Sequence, residues 1–174
     1  MTPGAFHSYY HVNSPLTPHK WGGFSFSRVM LTLKRLFVDM KIDTNPYPCI
    51  REGMSIDSHV GIGTIVWEGD QQARKFFFSE EQFSGKGITG HNFLNEIRLM
   101  PVMNARVLDW LLANPHEIPV NAWQGKKIFF WGTIYTATNG SLYVRYIDCS
   151  GRYSFEDVFC LNNTLESDAR ALLY

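Results

Sequence analysis

The sequence predicts an α+β fold whose antiparallel sheet is dominated by a three-stranded meander near the C-terminus, with short helices before it. Three observations lead to this prediction. Residues 128–135 are rich in aromatic and β-branched side chains, as strands are. Asn139-Gly140 is a strong hairpin signal because both residues tolerate positive φ. Residues 105–113 carry apolar side chains at helical spacing. The chain has 174 residues, which is the length of one domain.

The first 39 residues are predicted to form an N-terminal arm and a basic amphipathic helix, with a single α+β domain over 40–174. Pro and Gly residues interrupt any regular period before residue 27. From 27 to 40 one face is apolar and the opposite face is polar, and Ser27 can act as the N-cap. We expect that the stable core begins near Met40 and that residues 1–39 lie outside it. The clean amphipathic pattern argues against that expectation.

The middle of the chain predicts short elements in a definite order. Residues 41–61 contain Pro and Gly and indicate a loop. Ser79 and Gln82 have capping-box spacing, which favours a short helical turn. The remaining predicted elements are strands at Ile62–Trp67 and Arg74–Phe78 and helices at His91–Leu99 and Ala105–Ala113.

The C-terminal third predicts three strands, Ile128–Tyr135, Leu142–Asp148 and Arg152–Phe159. Side chains alternate across a strand, so Tyr143, Arg145 and Ile147 share one face of the second strand. Leu142, Val144 and Tyr146 share the other face.

Charge and cysteine content limit the class of protein. The formal net charge is zero, but the residues before Asp39 include four basic and no acidic side chains, so the remainder carries −4. Three cysteines without CxxC spacing favour a reducing compartment, and no apolar run is long enough to span a bilayer. We expect a cytoplasmic protein. The alternative is an organelle-targeted protein whose basic N-terminus is a presequence.

No motif indicates a catalytic residue, a metal site or a cofactor. His7 and His11 have i, i+4 spacing, but Pro and Gly flank them. Gly61-x-Gly63 lacks the Lys-Ser/Thr ending of a phosphate loop. A cysteine nucleophile needs a base and an activating field, whereas Asp148 next to Cys149 raises the pKa of that thiol.

Several segments from Met40 onward resemble a group of bacterial proteins without an assigned activity. The residues that carry the resemblance are Lys41-Ile42-Asp43, Ile118-Pro119, Trp123, Ile128-Phe129-Phe130-Trp131-Gly132-Thr133 and Tyr143-Val144-Arg145. Members of that group have a Trp-rich stretch after the second turn, where this chain has Arg152-Tyr153-Ser154-Phe155. The resemblance implies relatedness and a bacterial origin, and it implies no function.

The predicted function is therefore non-enzymatic binding of another protein, or of a second copy of the chain. Tyr, Trp and Arg concentrate binding energy at interfaces, so the predicted surface on the C-terminal sheet consists of Trp131, Tyr143, Arg145 and Tyr153. The alternative is nucleic-acid binding through the same sheet and a basic surface formed by Arg28, Lys34 and Arg35. A small enzyme ranks third. The reason for this low rank is that no nucleophile, base and orienting group can be named together.

Overall fold

The computed structural model describes residues 40–151 and 154–174. The predicted arm and the helix residues 27–39 lie outside the described residues, together with Arg28, Lys34, Arg35 and Tyr153. The described part of the chain confirms the α+β class, because helices and a large sheet share one core. Within that part, every helix is too short or too polar to cross a membrane.

Strands outnumber helices in the described residues. In chain order the strands are β1 (Met40–Asp43), β2 (Met54–His59), β3 (Thr64–Trp67), β4 (Phe76–Phe77), β5 (Ile88–Thr89), β6 (Lys127–Ala137), β7 (Leu142–Asp148), β8 (Phe155–Cys160), β9 (Thr164–Leu165) and β10 (Ala169–Leu172). The helices are α1 (Glu80–Phe83), α2 (Gly90–Glu96), α3 (Ala105–Ala113) and α4 (Val120–Trp123), and 3-10 turns lie at Gln72–Arg74 and Pro115–Glu117.

The main sheet has six strands and is mixed. Its strand order is β4-β10-β6-β7-β8, and β2 pairs with β6 outside this path. The prediction of an antiparallel sheet is wrong at one position, because β10 runs parallel to β6 while all other neighbours are antiparallel. Two small antiparallel pairs, β1-β3 and β5-β9, flank the sheet.

The β6–β7 hairpin forms at the predicted turn. Gly140 has φ of 79°, in the left-handed region that glycine enters without a Cβ penalty. The Asn139 carboxamide oxygen accepts a hydrogen bond from the Ser141 N–H at 3.0 Å. β8 pairs with β7 along its whole length, from Tyr143 opposite Cys160 to Asp148 opposite Phe155.

The sheet is buried on both faces. Side chains alternate along β6, so Ile128 and Phe130 join one apolar cluster, and Phe129 and Trp131 join the other. Helix α3 covers the first face, and α2 covers the second face with Phe93. A strand with two buried faces has a nearly continuous apolar sequence, which explains the run of aromatic residues in β6.

Helix α3 has the predicted bounds because clear signals mark both ends. The Asn104 side chain accepts a hydrogen bond from the Arg106 N–H at 3.1 Å, so Asn104 is the N-cap. Val107, Leu108 and Leu111 form the apolar stripe and are fully buried against the sheet. The capping box at Ser79 is also present, since the Ser79 N–H donates to the Gln82 side chain at 2.9 Å.

The predicted loop at 41–61 is wrong, because the segment contains two strands. β1 has one fully buried side chain, Ile42, and begins at Met40, where the sequence predicts the end of a helix. β2 has the sequence MSIDSH, in which no residue is fully buried, and among the described residues it pairs with β6 alone. Such a strand carries little apolar periodicity, so its position depends on the partner strand β6 rather than on its own residues.

Candidate functional site

Trp131 does not lie on a surface. Its ring is buried between the aromatic rings of Phe93 and Phe129, at centroid distances of 5.1 and 5.7 Å. The prediction that Trp131 forms part of an exposed binding surface therefore disagrees with its position. The reason is that α2 packs on this face of the sheet, and the position of α2 relative to the sheet is not evident from the sequence.

Arg145 is also buried, and only 4% of the residue is exposed. It lies on the same face of β7 as Ile147, as the alternation predicts, but α3 covers that face. The guanidinium Nη1 donates to Asp109 Oδ1 at 2.7 Å, and Nε donates to Glu156 Oε1 at 2.9 Å. Arg145 thus joins helix α3 to strand β8 and cannot stack on a nucleic-acid base in this arrangement.

These ion pairs form the centre of a larger arginine cluster, which consists of Arg51, Arg106, Asp109, Arg145, Glu156 and Asp157. The added contacts are Arg51 to Glu156 at 2.6 Å, Arg51 to Asp157 at 3.8 Å and Arg106 to Asp109 at 3.8 Å. Three cations therefore face three carboxylates. The central residues Arg145, Asp109 and Glu156 are largely buried, and buried charges are tolerated only when they compensate each other.

The protonation of the cluster follows from its geometry. Burial disfavours the charged form of Arg145, but Glu156 and Asp109 outweigh that effect and raise the pKa of its guanidinium above the ordinary value. Burial raises the pKa of Tyr135 as well, against the opposite effect of Arg145. Arg145 therefore stays charged and Tyr135 stays neutral at neutral pH.

The arginine cluster fixes the backbone of the loop between β1 and β2. The Cys49 N–H donates to Asp109 Oδ2 at 2.7 Å. The Cys49 carbonyl accepts from the Tyr135 hydroxyl at 3.3 Å and from Arg145 Nη1 at 3.4 Å. The N–H and the C=O of Cys49 are thus both hydrogen-bonded to largely buried side chains. The loop exposes Tyr47 before Cys49 and Ile50 after it.

Tyr143 lies on the same side of the sheet and is half-buried. It is directly opposite Tyr135 across the β6–β7 pair, and Tyr135 in turn touches Cys49 of the loop. Directly opposite residues share a face. We name Tyr47, Ile50 and Tyr143 the loop surface, and 71% of Tyr47 and 55% of Ile50 are exposed.

Sequence reasoning misses Asp109, Glu156 and Tyr47. Asp109 and Glu156 carry no local signal of their role, because their partner Arg145 is distant in sequence. Tyr47 does carry a signal, since Pro46 and Pro48 restrict the backbone on both sides of it. A tyrosine held in this way keeps little freedom to lose on binding.

One hydroxyl and one imidazole come together in the structure. The Thr133 hydroxyl lies 2.8 Å from His59 Nδ1, and His59 Nε2 lies 2.9 Å from the Thr44 carbonyl. A carbonyl only accepts, so Nε2 carries a proton and donates to the Thr44 carbonyl. Thr133 is fully buried and also accepts from the Ala105 N–H at 3.1 Å. The pair therefore joins β6 to α3, and no substrate can reach the hydroxyl.

The Cys149 thiol is not activated. Burial, followed by the negative charge of Asp148, raises the pKa of Cys149 to about 12. The direction of the Asp148 effect is the one that the sequence predicts. A thiol with a raised pKa is a poor nucleophile at neutral pH.

Metal ligands do not cluster in the part of the chain that the structure describes. No group of three His, Cys, Asp or Glu side chains there is placed to hold an ion. His7, His11 and His19 lie outside the described residues. Strand β3 follows Gly63, whereas a helix follows the glycines of a phosphate loop. The segment is therefore a turn before a strand, as the sequence predicts.

Comparison with known proteins gives no relative: no protein-family model, curated protein sequence or solved structure matches the chain. The resemblance to the bacterial group stays a prediction.

Proposed function

We propose that the chain is a non-enzymatic protein-binding domain and that its partner contacts the loop surface. The proposed class of function is the one that the sequence predicts. Of the four predicted binding residues, Tyr143 remains part of the proposed surface. It changes the role of Arg145, which positions the loop from below and does not touch the partner. In this proposal the adjacent strands β6, β7 and β8 of the main sheet support the loop surface.

The observation that supports it is the exposure of two large apolar side chains on a loop with a fixed backbone. Isolated exposed apolar residues are ordinary, but Tyr47 and Ile50 flank a residue whose N–H and C=O are both held by buried groups. Binding costs less conformational entropy when the binding loop is already ordered. Tyr also supplies a large contact area together with a polar hydroxyl.

The rim of the loop surface is polar, which suits a specific interface. Arg51 follows Ile50 directly and pairs with Glu156 and Asp157. Protein interfaces combine an apolar centre with a polar rim. The three cations of the arginine cluster are balanced by three carboxylates, so this face has no excess positive charge to hold phosphates.

The first experiment determines the mass and the nucleic-acid content of the purified chain. Size-exclusion chromatography at low salt, with light scattering and absorbance at 260 and 280 nm, shows whether the partner is a second copy. We expect no excess absorbance at 260 nm. An excess that disappears at high salt would favour nucleic acid instead.

A second experiment tests the surface itself. Affinity capture with quantitative mass spectrometry compares the wild type with Tyr47→Ala/Ile50→Ala. A control pair of exposed apolar residues elsewhere, Phe83→Ala/Leu99→Ala, is compared in the same way. We expect a partner that the wild type and the control retain and the loop variant loses. If the loop variant retains every partner of the wild type, the loop surface is not the binding site.

A further inference from the structure

A second apolar surface lies at the other edge of the main sheet, around β4. A groove of about 490 Å³ is lined by Phe77, Phe78, Ser79, Glu80, Glu81, Glu96 and Met100. Two of the most exposed apolar side chains of the described residues belong to the adjoining elements. Phe83 in α1 is 77% exposed, and Leu99 after α2 is 96% exposed. Large apolar side chains exposed together indicate a surface that something covers.

The aromatic rings of this groove already bind one guanidinium group. Phe83 contacts Phe78 with ring centroids 5.2 Å apart. The guanidinium carbon of Arg170 lies over the Phe78 ring, 4.8 Å from its centroid. This is the geometry of a cation–π contact. The Phe83 ring offers a second, exposed aromatic surface of the same kind.

Carboxylates surround the apolar floor. Glu80 and Glu81 are fixed in the first turn of α1 by the Ser79 capping box. Glu96 at the end of α2 accepts a hydrogen bond from the Ser79 hydroxyl at 3.0 Å. In the part of the chain that the structure describes, none of these three carboxylates forms an ion pair with Lys or Arg. The groove therefore suits an occupant with both apolar and cationic side chains.

The chain contains such an occupant. All basic side chains before Asp39, namely Lys20, Arg28, Lys34 and Arg35, lie in residues 20–35, and no acidic residue precedes Asp39. We name residues 20–35 the basic segment. Its apolar residues include Val29, Met30 and Leu33. The +4 charge before Asp39 and the −4 charge of the remainder are complementary.

The basic segment is long enough to reach the groove. Met40 is the strand partner of Trp67, and residues 67–78 connect that pair to Phe78 through turns and β4. An extended chain covers about 3.3–3.6 Å per residue, so residues 67–78 span at most about 40 Å. The residues between Met40 and Arg28 span a similar length, roughly 40 Å, when extended, whereas a helix over the same residues spans only about 18 Å; the segment therefore docks with these residues extended. Turns between Trp67 and Phe78 shorten the distance that has to be covered.

We propose that this groove binds the basic segment of the same chain. Apolar side chains of the segment cover Phe78, Phe83 and Leu99, and its Lys and Arg side chains pair with Glu80, Glu81 and Glu96. This contact is separate from the loop surface and does not depend on the proposed function.

Zero-length coupling in the full-length chain tests the proposal. A carbodiimide joins a lysine amine to a carboxylate as an amide only where the two groups touch, and mass spectrometry of the digest identifies the pair. We expect Lys34 or Lys20 to couple to Glu80, Glu81 or Glu96. The pair of Lys127 and Asp168, with Nζ and Oδ2 3.0 Å apart, is the positive control within the same sample.

A mixture of isotope-labelled and unlabelled chains assigns the coupling to one chain or two. Coupling within one chain supports the proposal, and coupling between labelled and unlabelled chains would replace it with docking on a second copy. Coupling of Lys34 only to carboxylates outside the groove, such as Glu52 or Asp57, would overturn it. Absence of any coupling of the basic segment, with the Lys127 control intact, would also overturn it.

Matched variants separate docking from charge attraction alone. Phe83→Ala/Leu99→Ala keeps all three carboxylates and removes the apolar contacts. We expect the coupling yield to fall about tenfold, which corresponds to about 1.4 kcal/mol. Tyr47→Ala/Ile50→Ala changes the loop surface and is expected to leave the yield unchanged. An equal yield in the wild type and in Phe83→Ala/Leu99→Ala would overturn the apolar part of the proposal.

Discussion

Replacement of Arg145 by Met is expected to destabilise the fold by about 3–5 kcal/mol, the usual cost of breaking a buried ion pair. Its side chain is 5% exposed, and those of Asp109 and Glu156 are 10% and 13% exposed. Removal of the guanidinium leaves both carboxylates largely buried without the one cation that they share. Arg51 at 2.6 Å from Glu156 and Arg106 at 3.8 Å from Asp109 compensate in part. We therefore expect the lower end of that range.

Urea unfolding followed by tryptophan fluorescence measures the effect, with the slope m unchanged if the transition stays two-state. The triple variant Arg145→Met/Asp109→Asn/Glu156→Gln is expected to recover at least half of the loss, because no uncompensated charge remains buried. Lys75→Met is the control. Lys75 and Glu68 are each about half exposed and 3.8 Å apart, so the expected change is below about 0.5 kcal/mol.

A loss below about 1 kcal/mol for Arg145→Met would refute the reasoning. That value is typical of solvent-exposed ion pairs. It would mean that water reaches the cluster and that the loop between β1 and β2 is not fixed by it. The role assigned to Arg145 in positioning Tyr47 and Ile50 would then fail as well.

Three further predictions concern stability. The pKa of Cys149 is raised to about 12 from the ordinary thiol value of 9.0. Its protonated thiol therefore contributes to the stability of the folded state fully below pH 9. This contribution is lost as the pH rises from 9 towards 12. Urea midpoints over that range should therefore fall less steeply for Cys149→Ala than for the wild type, and equal slopes would contradict the prediction. Gly132→Ala places a Cβ 3.0 Å from the Asn104 Cα; overpacking of this kind costs about 1–3 kcal/mol, and an unchanged thermal midpoint would contradict it. Asn104→Ala removes the cap of α3 and two donated hydrogen bonds, to the Thr44 and Val60 carbonyls at 3.0 and 2.8 Å. The expected loss of stability is about 2–4 kcal/mol. The control Thr89→Ala removes only the exposed cap hydrogen bond of α2 and is expected to cost about 1 kcal/mol. Equal losses for the two variants would refute the role of the two carbonyl contacts.

Local signals predict the elements that depend on them. Asn104 and Asn114 bound α3, Asn139-Gly140 forms the hairpin turn, and Ser79 with Gln82 forms the capping box. In each case the deciding interactions lie within a few residues along the chain. Such interactions can be read from the sequence without knowledge of the remaining fold.

Elements that depend on distant partners are not predicted. β2 is polar and becomes a strand only against β6, and β10 is short and inserts between β4 and β6. Trp131 and Arg145 are buried rather than exposed for the same reason. The alternation along β7 correctly groups Tyr143, Arg145 and Ile147, but alternation cannot show that helix α3 covers that face.

The position of β10 has a consequence for biosynthesis. Leu172 pairs with Phe76, and Ala171 pairs with both Phe77 and Phe129, so β10 lies between two strands that are synthesised before it. During translation β4 and β6 present unpaired edges until residues 169–172 leave the ribosome. Unpaired edges associate with other chains. A nascent chain stalled before this strand is therefore expected to be a target for chaperones and prone to aggregation.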